Sequence, residues 1–125
     1  MGMIKRRTLL WALAWAVALA GAPATVSAGE AVTVVELFTS QGCNACPLAD
    51  ALLIDLAAMQ DSDDLIVLGF HVNYWDYLGW ADTFADETTT GRQRAYMDPF
   101  SLRSVYTPQI VVDGVPKSLG QTEAL

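Results

Sequence analysis

The sequence predicts an α/β domain with a four-stranded mixed sheet, on the strength of three patterns. Two apolar, β-branched runs, Val32–Phe38 and Leu65–Phe70, are typical of buried strands. Between them, Ala45–Met59 repeats apolar residues at helical spacing, so residues 32–70 predict a β-α-β unit with parallel strands and a right-handed crossover. A later strand-turn-strand pattern predicts a β-hairpin, which supplies the other two strands.

The predicted helix should pack one face on the sheet. Its apolar residues recur every three or four positions: Leu48, Leu52, Leu56 and Met59. Residues at this spacing share one face of a helix, so we expect these four side chains to face the sheet. Asp50 and Asp55 are then expected on the solvent face.

The second half of the chain supplies an insert and the hairpin. Residues 82–98 are polar and predict helical segments interrupted near Gly91. Gln109–Val112 is a third strand, Asp113-Gly114 is a tight-turn signal, and Val115–Leu119 is a fourth strand.

The C-terminus resembles the opening of a further helix. Thr122 is the candidate N-cap of that helix. Because the chain stops at Leu125, we expect the final helix to be truncated and an apolar part of the sheet to be left uncovered.

The N-terminus has the three parts of a signal peptide. A basic segment, Lys5-Arg6-Arg7, precedes an uncharged run from Thr8 to Ala22 and the small residues Val26-Ser27-Ala28. We expect cleavage after Ala28, which divides the chain into a signal peptide (1–28) and one domain (29–125). Arg6-Arg7 is also compatible with twin-arginine export, although the pattern is loose and ordinary Sec export is favoured. The apolar run is shorter than the ~20 residues of a membrane span, so no stable span is expected after cleavage.

Charge and cysteine content narrow the classes of function. The 97 residues after the expected cleavage keep 4 basic and 14 acidic residues, a net charge of −10. Such an acidic surface disfavours nucleic acid and anionic lipid as partners. The expected location is the periplasm or the extracellular medium, where disulfides persist.

The two cysteines of the chain, Cys43 and Cys46, form a Cys-x-x-Cys motif between the first strand and the first helix. A helix N-terminus favours thiolate over thiol, and the spacing lets the two sulfurs close a small, reducible ring. A ring this small removes little entropy from the unfolded chain, so we favour a redox or metal site over a structural staple. Cys43 is the predicted nucleophile and Cys46 the resolving thiol.

Four segments together resemble a family of secreted bacterial thioredoxin-like proteins that is known mainly as a domain of unknown function. They are ELFTSQGCNACPLADALL, FHVNYWDYLGW, RQRAY and VYTPQIVVDG, and the likeness covers roughly residues 32–120. The segment YTPQIVVDGVPKSLG is also similar to the region of glutaredoxins in which a cis-proline opens a β-hairpin. The resemblance implies a thioredoxin-like fold and a cis peptide bond before Pro108. Pro108 would keep Cys43 apart from metals, and Thr107 would present its backbone to an extended substrate.

The expected topology brings these motifs together. In a parallel β-α-β unit, the segments that follow both strands emerge at the same edge of the sheet, so the Cys43 loop should neighbour the His71–Trp75 segment. In the thioredoxin pattern the third strand runs antiparallel to the first, which places Thr107 and Pro108 at that edge too. We therefore expect one site.

Four further residues are candidates for that site. Glu36 lies seven residues before Cys43, whereas the resemblance implies an acid six residues before, a difference that one extra loop residue could absorb. If buried, Glu36 would take a proton from Cys46; it could equally lie on an exposed strand edge. His71 is the only histidine, and it either makes a structural hydrogen bond, stabilises the Cys43 thiolate or ligates a metal. Tyr74 and Trp75 either bind peptide substrates or cover the sheet.

The sequence thus predicts an extracytoplasmic thiol:disulfide oxidoreductase that acts on protein or peptide thiols and disulfides and needs no organic cofactor. The alternative is a copper-binding or metallochaperone module that uses Cys43, Cys46 and His71, because thiolates and imidazole suit Cu(I). The sequence predicts no redox potential, because Asn44-Ala45 matches no familiar dipeptide between the cysteines, and it specifies neither substrate nor direction.

Overall fold

The computed structural model describes residues 31–61 and 64–122, so the predicted signal peptide lies outside the described residues. The strands are β1 (Thr33–Thr39), β2 (Leu65–His71), β3 (Gln109–Val112) and β4 (Val115–Lys117). The helices are α1 (Pro47–Met59), α2 (Glu87–Ala95) and α3 (Leu119–Thr122), and a short 3₁₀ helix covers Asp76–Leu78. No helix within the described ranges is long and apolar enough to cross a membrane.

The four strands form one mixed sheet in the order β2-β1-β3-β4. β1 pairs in parallel with β2, from Thr33 opposite Leu65 to Thr39 opposite His71. β3 is antiparallel to β1 and to β4. This is the predicted β-α-β unit with an added hairpin, and the arrangement is consistent with a thioredoxin-like α/β fold. The predicted hairpin turn is present, with positive φ at both Asp113 and Gly114.

Each face of the sheet carries its own apolar cluster, because side chains alternate between the two faces along a strand. On the α1 face, the strand residues Val35 and Leu37 pack against Ala49 and Leu56 of the helix. On the opposite face, Phe38, Val72 and Val111 form a second buried cluster. Partly buried aromatic side chains from β2 and from the segments before and after α2 pack against it: Phe70, Tyr74, Trp75, Tyr96 and Phe100.

Helix α1 differs from the prediction in its start and in its buried face. It begins at Pro47 rather than Ala45, since Cys46 is the N-cap and a proline without an N–H fits the first turn. Its buried face runs through Ala49, Leu52, Leu53 and Leu56, so Leu48 was wrongly predicted to face the sheet and is 76% exposed. Met59 is also exposed, and Asp50 is half-buried rather than on the solvent face.

Three other predicted boundaries are wrong. Helix α2 runs through Gly91 without interruption and occupies only the middle of the polar segment 82–98. Strand β4 ends at Lys117, so Leu119 opens helix α3 and packs against the α1-side cluster. Thr122 closes the described part of α3 and is therefore not its N-cap.

Candidate redox site

The two sulfurs of the site are bonded to each other. Cys43 and Cys46 form a disulfide with their Cα atoms 5.5 Å apart. Cys46 is fully buried and Cys43 is 5% exposed. Solvent therefore reaches only Cys43, the residue that the motif predicts as the nucleophile.

The disulfide lies at the N-terminus of α1. Cys46 is the N-cap residue, and no side chain caps the helix there. The first-turn N–H groups and the positive end of the helix dipole therefore lie beside the sulfurs and favour a thiolate. The carboxylate of Asp50, also in the first turn, accepts a hydrogen bond from the Thr39 hydroxyl at 2.6 Å.

The predicted convergence of the three segments is present. A Cβ placed on Gly42 would lie 3.1 Å from Cβ of Trp75, so the backbone before Cys43 packs directly against the aromatic loop, which contains Tyr74 and Trp75. The indole Nε1–H of Trp75 donates in turn to the Thr107 hydroxyl at 2.7 Å. The Thr107–Pro108 peptide bond is cis. The cysteine loop, the aromatic loop and the proline turn thus form one contact chain.

His71 is held at the end of β2 by a buried carboxylate. Its Nδ1 lies 2.7 Å from Oδ2 of Asp82, whose side chain is completely buried. The same oxygen accepts a hydrogen bond from the Gln41 N–H at 2.8 Å, and Oδ1 accepts one from the Phe84 N–H at 2.9 Å. Because an ionised carboxylate only accepts, Nδ1 of His71 carries the proton of the shared hydrogen bond.

Asp82 is an ionised group inside the fold. Burial by itself would raise its pKa. The hydrogen bonds from the Gln41 N–H, His71 and the Phe84 N–H outweigh burial, so the pKa of Asp82 lies below its ordinary value of 3.8. A negative charge is therefore fixed against the backbone N–H of Gln41, which lies two residues before Cys43 in the chain.

Glu36 is buried, which excludes the alternative of an exposed strand edge. It is 3% exposed and shares the sheet face of its i+2 neighbour Phe38, opposite α1. Its Oε1 lies 2.6 Å from Nη2 of Arg92 in α2, and its Oε2 accepts a hydrogen bond from the Tyr96 hydroxyl. Arg92 and Tyr96 are thus the partners of this carboxylate. The carboxylate faces Arg92 and Tyr96, away from the helix that carries Cys46.

Tyr74 and Trp75 are half-buried and pack against the Phe38 cluster. The Tyr74 hydroxyl donates to Oε1 of Gln93 at 3.1 Å, and burial, as the largest cause, raises the pKa of Tyr74. The exposed apolar surface lies further along the chain, in the 76–84 loop. Four large side chains of this loop are 58 to 78% exposed: Tyr77, Leu78, Trp80 and Phe84. The indole of Trp80 is fixed by a 2.7 Å hydrogen bond to the Gln41 side chain.

The disulfide form does not assemble the set of ligands considered for copper. Among residues 31–61 and 64–122, no group of three or more His, Cys, Asp or Glu side chains is placed to hold a metal ion. The sulfurs of Cys43 and Cys46 are bonded to each other, and Nδ1 of His71 faces Asp82.

Sequence reasoning missed Asp82 and Arg92. A signal existed for Arg92, since an acid within an apolar strand needs a cationic partner and the domain has only four basic residues. No local pattern distinguishes Asp82, because its partners Gln41 and His71 lie 41 and 11 positions earlier in the chain.

The comparisons with known proteins agree with this fold. The X-ray crystal structure of a protein from Agrobacterium tumefaciens is similar, with 49% sequence identity and a TM-score of 0.57. The alignment covers 68% of this chain and 37% of that one, so this chain spans well under half of that protein. No curated protein matches the chain significantly. A family model described as "Protein of unknown function (DUF1223)" matches residues 34–125, and the chain therefore belongs to the DUF1223 family.

Proposed function

We propose that this protein is an extracytoplasmic thiol:disulfide oxidoreductase whose working group is the Cys43–Cys46 pair. The observation that carries the proposal is the disulfide at the uncapped N-terminus of α1, in contact through Trp75 with the cis Thr107–Pro108 turn. Burial of Cys46 behind a slightly exposed Cys43 fits a resolving thiol behind a nucleophile.

The reaction needs only the two sulfurs and a partner disulfide. In the dithiol form, the Cys43 thiolate attacks one sulfur of the partner, whose S–S bond breaks and whose second sulfur leaves and takes a proton. Cys46 then loses its proton and attacks Cys43. The Cys43–Cys46 bond forms as the bond between Cys43 and the partner sulfur breaks; the released sulfur takes a proton, and two electrons have passed to the partner. The reverse sequence oxidises a partner dithiol.

Protein or peptide thiols and disulfides are the proposed partners, and the periplasm or the extracellular medium is the proposed location. The signal-peptide pattern of residues 1–28 supports export, and the net charge of −10 after cleavage disfavours nucleic acid. Tyr77 and Trp80, two of the exposed aromatic side chains of the 76–84 loop, would contact a polypeptide near Cys43.

The first test is a redox titration in graded glutathione buffers, read by mass after alkylation of free thiols and repeated with Cu(I). We expect a reversible two-electron transition between roughly −120 and −270 mV, the range of known dithiol enzymes. The Cys46→Ser variant should accumulate mixed disulfides when it is mixed with a peptide disulfide, whereas Cys43→Ser, its matched control, should not.

Two outcomes would overturn this function. One is a disulfide that does not exchange with glutathione or the peptide. The other is stoichiometric copper that protects both thiols from alkylation in a protein without a reversible transition, which would favour the metal-binding alternative.

A further inference from the structure

Asp82 connects three segments that are distant in sequence. Its Oδ2 accepts from the Gln41 N–H in the cysteine loop and from Nδ1 of His71 at the end of β2. Its Oδ1 accepts from the Phe84 N–H in its own loop, and its own N–H donates to Oδ1 of Asp76. A fully buried carboxylate is costly unless such hydrogen bonds compensate it, so all three segments must keep their relative positions.

Gln41 is the point at which this network reaches the cysteines. Its N–H binds Asp82 and its side-chain carbonyl accepts from Trp80, so both ends of this exposed residue are fixed by the 76–84 loop. The next two residues complete a tight turn, since Gly42 donates to the Ser40 hydroxyl and Cys43 donates to the Ser40 carbonyl. The anchored Gln41 N–H is therefore separated from Cys43 by one hydrogen-bonded turn.

We propose that Asp82 is a positioning residue for Cys43: by anchoring the Gln41 N–H, it holds the Cys43 sulfur at the N-terminus of α1. This role rests on the proposed dithiol chemistry of Cys43. Asp82 does not touch a reacting atom in this account. It acts through the turn, and His71 shares the anchor as its second donor.

The Asp82→Asn substitution separates position from charge. An amide has one acceptor atom and one donor group, so its NH₂ must face either Phe84 N–H or both Gln41 N–H and His71. Loss of the anchor lets the sulfur move away from the helix N-terminus, which raises the pKa of the Cys43 thiol. Simple removal of a nearby negative charge would do the opposite.

The readout is the rate at which a small alkylating reagent modifies Cys43 in the reduced full chain between pH 4 and 9. For Asp82→Asn we expect a profile displaced to higher pH and a rate at pH 7 lower by about tenfold, as for the loss of one charge-assisted hydrogen bond. The matched control is Asp86→Asn, which removes one negative charge four residues after Asp82 in the chain but keeps a good N-cap for α2. A profile that is unchanged or displaced to lower pH would overturn the proposal.

A second measurement uses the unmodified protein, in case the variant fails to fold. The Gln41 residue is exposed, so its amide should be protected from hydrogen exchange only through Asp82. Hydrogen exchange of the Gln41 amide at the rate of a free amide would contradict its proposed anchoring by Asp82. Both readouts require only a foldable chain with a reducible Cys43. They therefore remain informative if polypeptide disulfides prove not to be substrates and the proposed function fails.

Discussion

On the α2 side of the sheet, the buried carboxylate of Glu36 forms a salt bridge with the half-exposed guanidinium of Arg92. The Glu36 side chain is 4% exposed, whereas that of Arg92 is 48% exposed and lies 5.2 Å from the Phe70 ring centroid. The Tyr96 hydroxyl completes the coordination of the carboxylate. The cost of removing the Glu36 carboxylate from water is thus offset by Arg92 in α2 and by Tyr96, the residue that follows this helix. These contacts link α2 to the central strand β1.

Removal of Arg92 should therefore cost much more than its exposure suggests. In Arg92→Met, the Tyr96 hydroxyl is the one remaining partner described for the buried Glu36 carboxylate. We expect the free energy of unfolding to fall by about 2 kcal/mol. Urea unfolding measures this change. The matched control is Arg94→Met, which breaks an exposed pair with Glu87 and should cost under about 0.5 kcal/mol.

The double variant Glu36→Gln/Arg92→Met should be more stable than the sum of the two single changes predicts, because an amide tolerates the loss of the guanidinium. Equal losses for Arg92→Met and Arg94→Met would contradict a buried, mutually dependent pair.

Individual site residues were predictable where a local pattern encodes them. Cys43, Cys46 and Pro108 stand in recognisable motifs, and the structure brings the three motifs together. The partners of the buried acids were not predictable in this way. Glu36 binds a residue 56 positions later, and such a long separation leaves no periodic trace in the sequence.

At the scale of the elements, periodicity identified each strand and the first helix but not every boundary. The apolar face of α1 follows Ala49, Leu52, Leu53 and Leu56, a spacing as regular as the one that included Leu48. The choice between the two faces depends on the start of the helix, which the N-cap Cys46 and Pro47 set. Propensity likewise suggested a break at Gly91, but packing and the Asp86 N-cap keep α2 continuous.

Helix α2 should accept a side chain at Gly91. A Cβ built there meets no atom within 4 Å and φ is not positive, so Gly91→Ala should raise the free energy of unfolding by about 0.5 to 1 kcal/mol. Thermal unfolding measures the change. The matched control is Gly79→Ala, where space is equally open but φ is +104°, and there we expect destabilisation. A shift of the unfolding midpoint in the same direction for both substitutions would contradict this dependence on φ.

At the scale of the whole molecule, ionisable groups set the pH range of the fold. Hydrogen bonds hold the pKa of Asp82 below 3.8 despite its burial, and those from Asn73 and Arg94 hold the pKa of Glu87 below 4.5. A group with a lowered folded-state pKa stabilises the fold above its unfolded-state pKa and loses that contribution as the pH falls through the folded-state value. Burial, as the first cause, raises the pKa values of Tyr74 and Tyr96 above 10.0, so their contribution is complete below pH 10 and is lost above it.

We therefore expect a stability plateau between about pH 5 and 9, with losses below about pH 4 and above about pH 10. Urea midpoints measured across this range give the profile. In Asp82→Asn the plateau should be lower and the loss on the acid side smaller, since one of the groups that titrate there is gone. An acid limb identical to that of the unchanged chain would contradict the role given to Asp82.

Both outer strands of the sheet are closed to a further strand by different means. On the β4 side, Pro116 removes a backbone donor at the centre of a three-residue strand that ends at Lys117. On the β2 side, the Gln60 side chain accepts from the Val67 N–H, and the Thr89 hydroxyl donates to the His71 carbonyl. Without these caps, the seven-residue apolar strand β2 would be a template for edge-to-edge aggregation during folding. The same caps disfavour the pairing of a further polypeptide strand with either edge of the described sheet.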